Sequence, residues 1–126
     1  MALDWQHGAL AEGLRCYRKQ EFFLAHEHWE SVWLGSEEPE KTFLQALIQI
    51  AAAFHHLQRQ NSPGASSLLA AAYRRLEAYP ADFGGLDVNS IRQSVTSWLQ
   101  ALDRNDSPPH LPFPHITLTT DLTPDP

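Results

Sequence analysis

The segment 42-TFLQALIQIAAAFHHLQ-58 is the longest run in the chain without a formal charge, and its reading decides the fold. Phe43, Leu44, Leu47, Ile48, Ile50 and Phe54 recur at three- and four-residue steps, the period of an amphipathic helix rather than of a strand. Three glutamines and two histidines interrupt the run, and it falls short of the about 20 apolar residues that a membrane crossing needs. The segment therefore predicts a core helix extending over Pro39–Gln60.

Helical periodicity continues on both sides. Downstream, 61-NSPGA-65 ends one helix at Asn61 and starts the next, with Ser62 as cap and Pro63 in the first turn. That fourth helix runs to Tyr79 and buries Leu68, Leu69, Ala72 and Leu76. After the loop 80-PADFGGLD-87, Asp87 or Asn89 opens a fifth helix with Ile91, Val95, Trp98 and Leu102 on one face. Upstream, 35-GSEEPEK-41 reads as a turn with Ser36 capping the third helix. A second helix over Glu21–Leu34 stops at Gly35, and a first covers Asp4–Lys19 with Leu10, Leu14 and Tyr17 inward. Beyond Arg104 the composition turns proline-rich and cannot continue a helix. There 111-LPFPHITL-118 is apolar enough to lie along the body. The expected architecture is all-α, a compact bundle of about five helices. Residues 1–104 form the domain, and residues 105–126 form an extended proline-rich C-terminal tail partly packed on it.

Composition narrows the function classes. A chain of 126 residues, 43% hydrophobic and 19% charged, suits one ordinary globular core. A net charge of −6 argues against nonspecific nucleic-acid binding, which needs basic residues facing phosphates. The single cysteine, Cys16, leaves no intrachain disulfide framework and no cysteine zinc site. The opening MALDWQHGAL has neither a basic start nor a long apolar run. The expectation is a cytoplasmic protein with no nucleic-acid or membrane partner, leaving a small molecule or a second copy of the chain.

The chemistry-bearing residues lie in 21-EFFLAHEHWESVWLG-35. On a helical wheel with His26 at zero, Phe22 falls at ~−40°, Trp33 at ~−20°, Glu30 at ~+40°, Phe23 at ~+60° and Leu34 at ~+80°. His26 and Glu30 thus lie inside an apolar arc, one turn apart and able to touch. Glu27 sits at its edge. On the third helix Gln49, Gln45 and His56 fall within ~40° of one another beside small alanines. Meeting of the two stripes would gather His26, Glu30, Gln49 and His56 into one pocket.

Three readings follow. In the first, His26, Glu30 and His56 hold a divalent transition metal such as zinc, and Glu27 is the catalytic base beside a metal-bound water. Against it, the zinc-protease pattern HExxH wants histidine where Glu30 stands, and the paired Glu-x-x-His of di-iron bundles is missing. In the second, His26 and Glu30 are a structural polar network. In the third, a binding pocket uses tryptophan area, Trp33 included, with Gln49, His26 and Glu30 orienting a ligand.

The order of FFLAHEHWESVW, FLQALIQIAAAFHH and NSPGASSLL, spanning Leu10 to Leu76, resembles the domain-of-unknown-function family 309. The resemblance implies an all-helical domain with paired helices packed around the HExxE segment. It also implies a loose label, predicted metal-dependent hydrolase, with no established activity behind it. Its characteristic positions fall on His26, Glu27, Glu30, Trp33, Gln49, His56, Asn61 and Gly64. Ala46 and Gln60 depart from it, standing where the family often has glycine. The functional expectation is an uncharacterised helical domain with a semi-buried His/Glu/Gln site, either a metal-dependent hydrolase or a noncatalytic binding module.

Overall fold

The computed structural model describes residues 3–104 and 111–122. The remaining tail positions, 105–110 and 123–126, lie outside the described residues. The α-helices are α1 (Gly8–Arg18), α2 (Phe22–Trp33), α3 (Glu40–Gln58), α4 (Ser62–Leu76) and α5 (Val88–Asp103). Short 3₁₀ turns cover Phe83–Gly85 and Thr119–Leu122. Each α-helix packs on the next in sequence, and all five contribute to one buried cluster. The fold is all-α. Among the described residues the only β-type pairing is an isolated bridge between Leu86 and Leu118, and no helix is long and apolar enough to cross a membrane.

Two helical hairpins, α1–α2 and α3–α4, are closed by the same device. At the end of α1, Gln20 N–H bonds Tyr17 O (2.9 Å) and Glu21 N–H bonds Cys16 O (2.9 Å). At the end of α3, Gln60 N–H bonds Leu57 O (3.0 Å) and Asn61 N–H bonds His56 O (2.8 Å). This is the Schellman pattern, which needs a left-handed residue after the helix. Gln20 (φ 63°) and Gln60 (φ 61°) fill that position instead of glycine. The two turns are also tied together, since Gln58 Nε2 donates to Gln20 O at 2.9 Å. An L side chain in this conformation is strained, so Gln60→Gly is expected to raise stability by about 0.5–1 kcal/mol, read as a higher urea midpoint. A lower midpoint would mean that the Gln60 side chain contributes more than its backbone costs.

Several helix boundaries differ from the sequence expectation. The first helix begins at Gly8 rather than Asp4, because the Asp4 carboxylate accepts from the N–H groups of Gln6 (2.9 Å) and His7 (3.1 Å) and holds a turn there. Ser36 does not cap α3. It is buried, and its hydroxyl donates back to Val32 O at 2.7 Å. Glu38 does the capping by accepting from Thr42 N–H and Oγ1–H. Those bonds hold its carboxyl below the usual range, the hydroxyl bond contributing most. Asn61, not Ser62, caps α4, accepting from Gly64 N–H at 3.1 Å. Asp87 caps α5 through Ser90.

Residues 111–118 run along the helices without regular secondary structure. Ile116 is buried, and Phe113 packs against Tyr17 and Phe22. Backbone carbonyls of this segment accept from Trp98 Nε1 (at Pro112, 2.8 Å), the Tyr17 hydroxyl (at Pro114, 2.6 Å) and Arg18 (at Ile116, 2.9 Å).

Candidate functional site

The buried face of α2 is Phe22, Ala25 and Trp29. Those residues centre ~70° away from His26 on the wheel, so the inward direction is not where the apolar arc placed it. The reason is α1. Its Gly13 lets the Trp29 indole close in, and Trp29 Nε1 donates to Leu10 O at 3.2 Å. Phe23 and Leu34, counted as apolar by the wheel, are instead 50% and 67% exposed.

His26 and Glu30 therefore flank the core and line an open groove of about 300 Å³. Trp33 completes the α2 wall. Gln45, Ile48, Gln49 and Ala52 of α3 form the opposite wall, and Leu68 of α4 the floor. His26 Nε2 lies 3.2 Å from Glu30 Oε2, with side chains 27% and 46% exposed. At that exposure the pair contributes little to stability, and the semi-buried network of the sequence reading is a half-solvated pair on a groove wall. With Glu30 ionised, Nε2 carries the proton it shares with the carboxylate. In the neutral ring Nδ1 is then an acceptor.

Two polar atoms at this wall, His26 Nδ1 and Trp33 Nε1, are buried and have no hydrogen-bond partner. Lys41 Nζ sits 4.8 Å from the centre of the Trp33 ring, a cation–π contact. Across the groove, Gln49 Oε1 accepts from Arg75 Nη1 at 3.5 Å. Arg75 was not visible as a site residue, because α4 delivers it to a helix that carries no charge of its own along the groove.

The stripes meet only in part. Gln45 and Gln49 face His26 and Glu30 as the wheels predict, but His56 does not line the groove. A wheel suppresses position along the axis, and His56 lies about 10 Å beyond Gln49 at 1.5 Å per residue. There its Nδ1 meets Asn61 Nδ2 at 2.9 Å, at the corner where α3 turns into α4. Glu27 is exposed and outside the groove lining. His55 stands nearer, its ring 5.3 Å from that of Phe23. Partial burial, then the charges of Arg59, His56 and His26, holds its imidazole below the usual range.

A resident metal does not fit this donor set. Among the described residues no group of three or more His, Cys, Asp or Glu side chains is placed to hold one. The expected trio of His26, Glu30 and His56 is not assembled: the first two are paired on the groove wall and the third is engaged at the helix corner.

Residues 10–68 match the family model described as Domain of unknown function (DUF309). Every residue lining the groove falls within the matched stretch. No curated protein matches the chain.

Proposed function

We propose, for the α2/α3 groove that lies within the stretch matching the DUF309 model (residues 10–68), noncatalytic binding of a small, uncharged, planar molecule carrying adjacent hydrogen-bond donor and acceptor groups, such as an amide or lactam edge. The observation that carries this is the pair of unpartnered atoms, His26 Nδ1 and Trp33 Nε1. A buried polar atom left unbonded costs about 1–3 kcal/mol, and proteins leave few of them. One is an indole donor and the other an imidazole acceptor. A ligand presenting C=O to Trp33 and N–H to His26 satisfies both once the rings turn toward the groove. Gln45 and Gln49 offer further amide groups, while Ile48, Ala52 and Leu68 supply an apolar bed. Apart from Glu30, whose carboxylate meets His26 Nε2 at 3.2 Å, no lining residue carries a full charge, which favours an uncharged ligand.

Hydrolysis by a metal-bound water, with His26, Glu30 and His56 as ligands and Glu27 as base, draws less support. It needs His56 released from Asn61 and Glu27 brought in from an outward position.

The test is a protein-observed NMR screen with amide and lactam fragments. Binding is expected to move the Trp33 indole N–H resonance. Trp33→Phe, which keeps an aromatic wall but removes the donor, is expected to weaken the hit by about tenfold with little change in melting temperature. A hit that binds Trp33→Phe as tightly as the parent would defeat the reading. So would stoichiometric zinc, in protein purified without a histidine tag, that disappears in His26→Ala.

A further inference from the structure

A second recess lies away from the α2/α3 groove, and we propose that it binds a small polyanion of the phosphate class. It measures about 310 Å³ and is walled by Trp5 and Leu14, with Gln6 at one side and Arg15, Arg18 and Lys19 around the rim. Three of the nine lysines and arginines in the chain thus converge on one recess, in a protein of net charge −6. Such local concentration of one sign focuses the field and raises the local anion concentration.

Two of the three cations have no carboxylate partner among the described residues. Arg15 pairs with Glu12, both half-exposed. Arg18 donates to the Ile116 carbonyl at 2.9 Å, which positions the guanidinium without cancelling its charge. Lys19 forms no ion pair among the described residues. Basic residues at the end of α1 also complement the helix dipole. That accounts for their sign, but not for their gathering around a recess or for the tether of Arg18 to a segment 98 positions away. The walls are fixed as well, since Trp5 is buried and its Nε1 donates to Gly84 O at 2.8 Å. Guanidinium groups recognise phosphate oxygens through paired N–H donors, and an ammonium adds a point charge. A preformed recess with two of the former and one of the latter suits a ligand with two or more phosphate charges. The recess shares no lining residue with the α2/α3 groove, so this site does not rest on the function proposed for that groove.

Calorimetric titration of the full chain with inorganic pyrophosphate at low salt is the test. Binding is expected, and it should weaken as salt rises. Arg15→Gln combined with Lys19→Gln should weaken it by about tenfold or more, whereas Arg59→Gln with Arg74→Gln, an equal charge change elsewhere, should leave it within about twofold. Glu12→Gln supplies the opposite sign. It frees Arg15 and removes a repelling carboxylate, so affinity should rise about two- to fivefold, an outcome that misfolding cannot imitate. Absence of pyrophosphate binding, equal loss in both double variants, or unchanged affinity in Glu12→Gln would overturn the proposal. Capture on phosphatidylglycerol vesicles without binding of soluble pyrophosphate would do the same.

Discussion

Trp29→Ala is expected to lower the unfolding free energy by about 3–5 kcal/mol, the upper range for truncating a buried aromatic. Trp29 is 0% exposed, and its ring meets those of Trp5 (6.2 Å) and Tyr17 (5.7 Å), so the cavity would open where α1 and α2 meet. Removal of the indole also takes from the Leu10 carbonyl the second donor that it accepts at 3.2 Å, leaving its intrahelical bond. Gly13→Ala tests the same contact from the other side. In an exposed helix that exchange stabilises by about 1 kcal/mol. Here a Cβ at position 13 would stand 2.3 Å from Trp29 Nε1 and 2.5 Å from Cδ1, so a net loss of about 1–3 kcal/mol is expected instead. Because both changes act on one contact, their effects should not add. With the indole gone, the added methyl has room, and Gly13→Ala should cost less in the Trp29→Ala background than alone. Urea unfolding of the four proteins reads all of this. A gain in stability from Gly13→Ala alone would mean that α1 and α2 do not approach as described.

The helices were legible in the sequence because local signals set them. The uncharged run from Thr42 begins two residues into α3 and ends with it at Gln58, and the hairpin break falls at Asn61. What escaped was pairwise or axial. Gly13 reads as a weak spot in a helix until Trp29, sixteen positions on, is set against it. Gln20 gives no warning of positive φ, since glutamine carries no left-handed preference, and at Gln60 the one hint is the glycine that the resembling family often has there; the closure of the two hairpins imposes the conformation.

The site was legible to the same degree and for the same reasons. Four-residue spacing was enough to pair His26 with Glu30, a contact within one helix. It was not enough to say how far that pair turns from the core. Phe23, Trp33 and Leu34 weigh in a wheel as heavily as Trp29, although only Trp29 finds a partner helix deep enough to bury it. Gln49 reached the groove because it lies level with His26 along the paired helices. His56, on nearly the same stripe, overshot it to the α3–α4 corner. Arg75 reaches Gln49 from a third helix, a relation that no single-helix projection contains.

Ile116→Ala should be the second large loss, about 2–4 kcal/mol, within the range for truncating a buried isoleucine. Ile116 is 3% exposed and anchors residues that have no helix of their own to hold them. The segment is attached by contacts of different kinds: the Phe113 ring against Tyr17 and Phe22, carbonyls at Pro112, Pro114 and Ile116, and Asp87 N–H on Thr117 O at 2.8 Å. Tyr17 is fully buried, and burial holds its phenol well above the usual range, so it remains a hydrogen-bond donor across the accessible pH range. Such an attachment has a ceiling. Once damage exceeds the free energy with which the segment docks, it detaches, water takes over the exposed carbonyls, and further substitutions cost nothing more. Tyr17→Phe, a loss of about 1–3 kcal/mol from an orphaned carbonyl, should therefore add less in the Ile116→Ala background than alone. The Arg18 tether to Ile116 O must be released with the segment, so the same double variant should also lose affinity for pyrophosphate. Additive losses, measured by urea unfolding, would mean that the segment stays docked after both changes and that its attachment is stronger than these contacts account for.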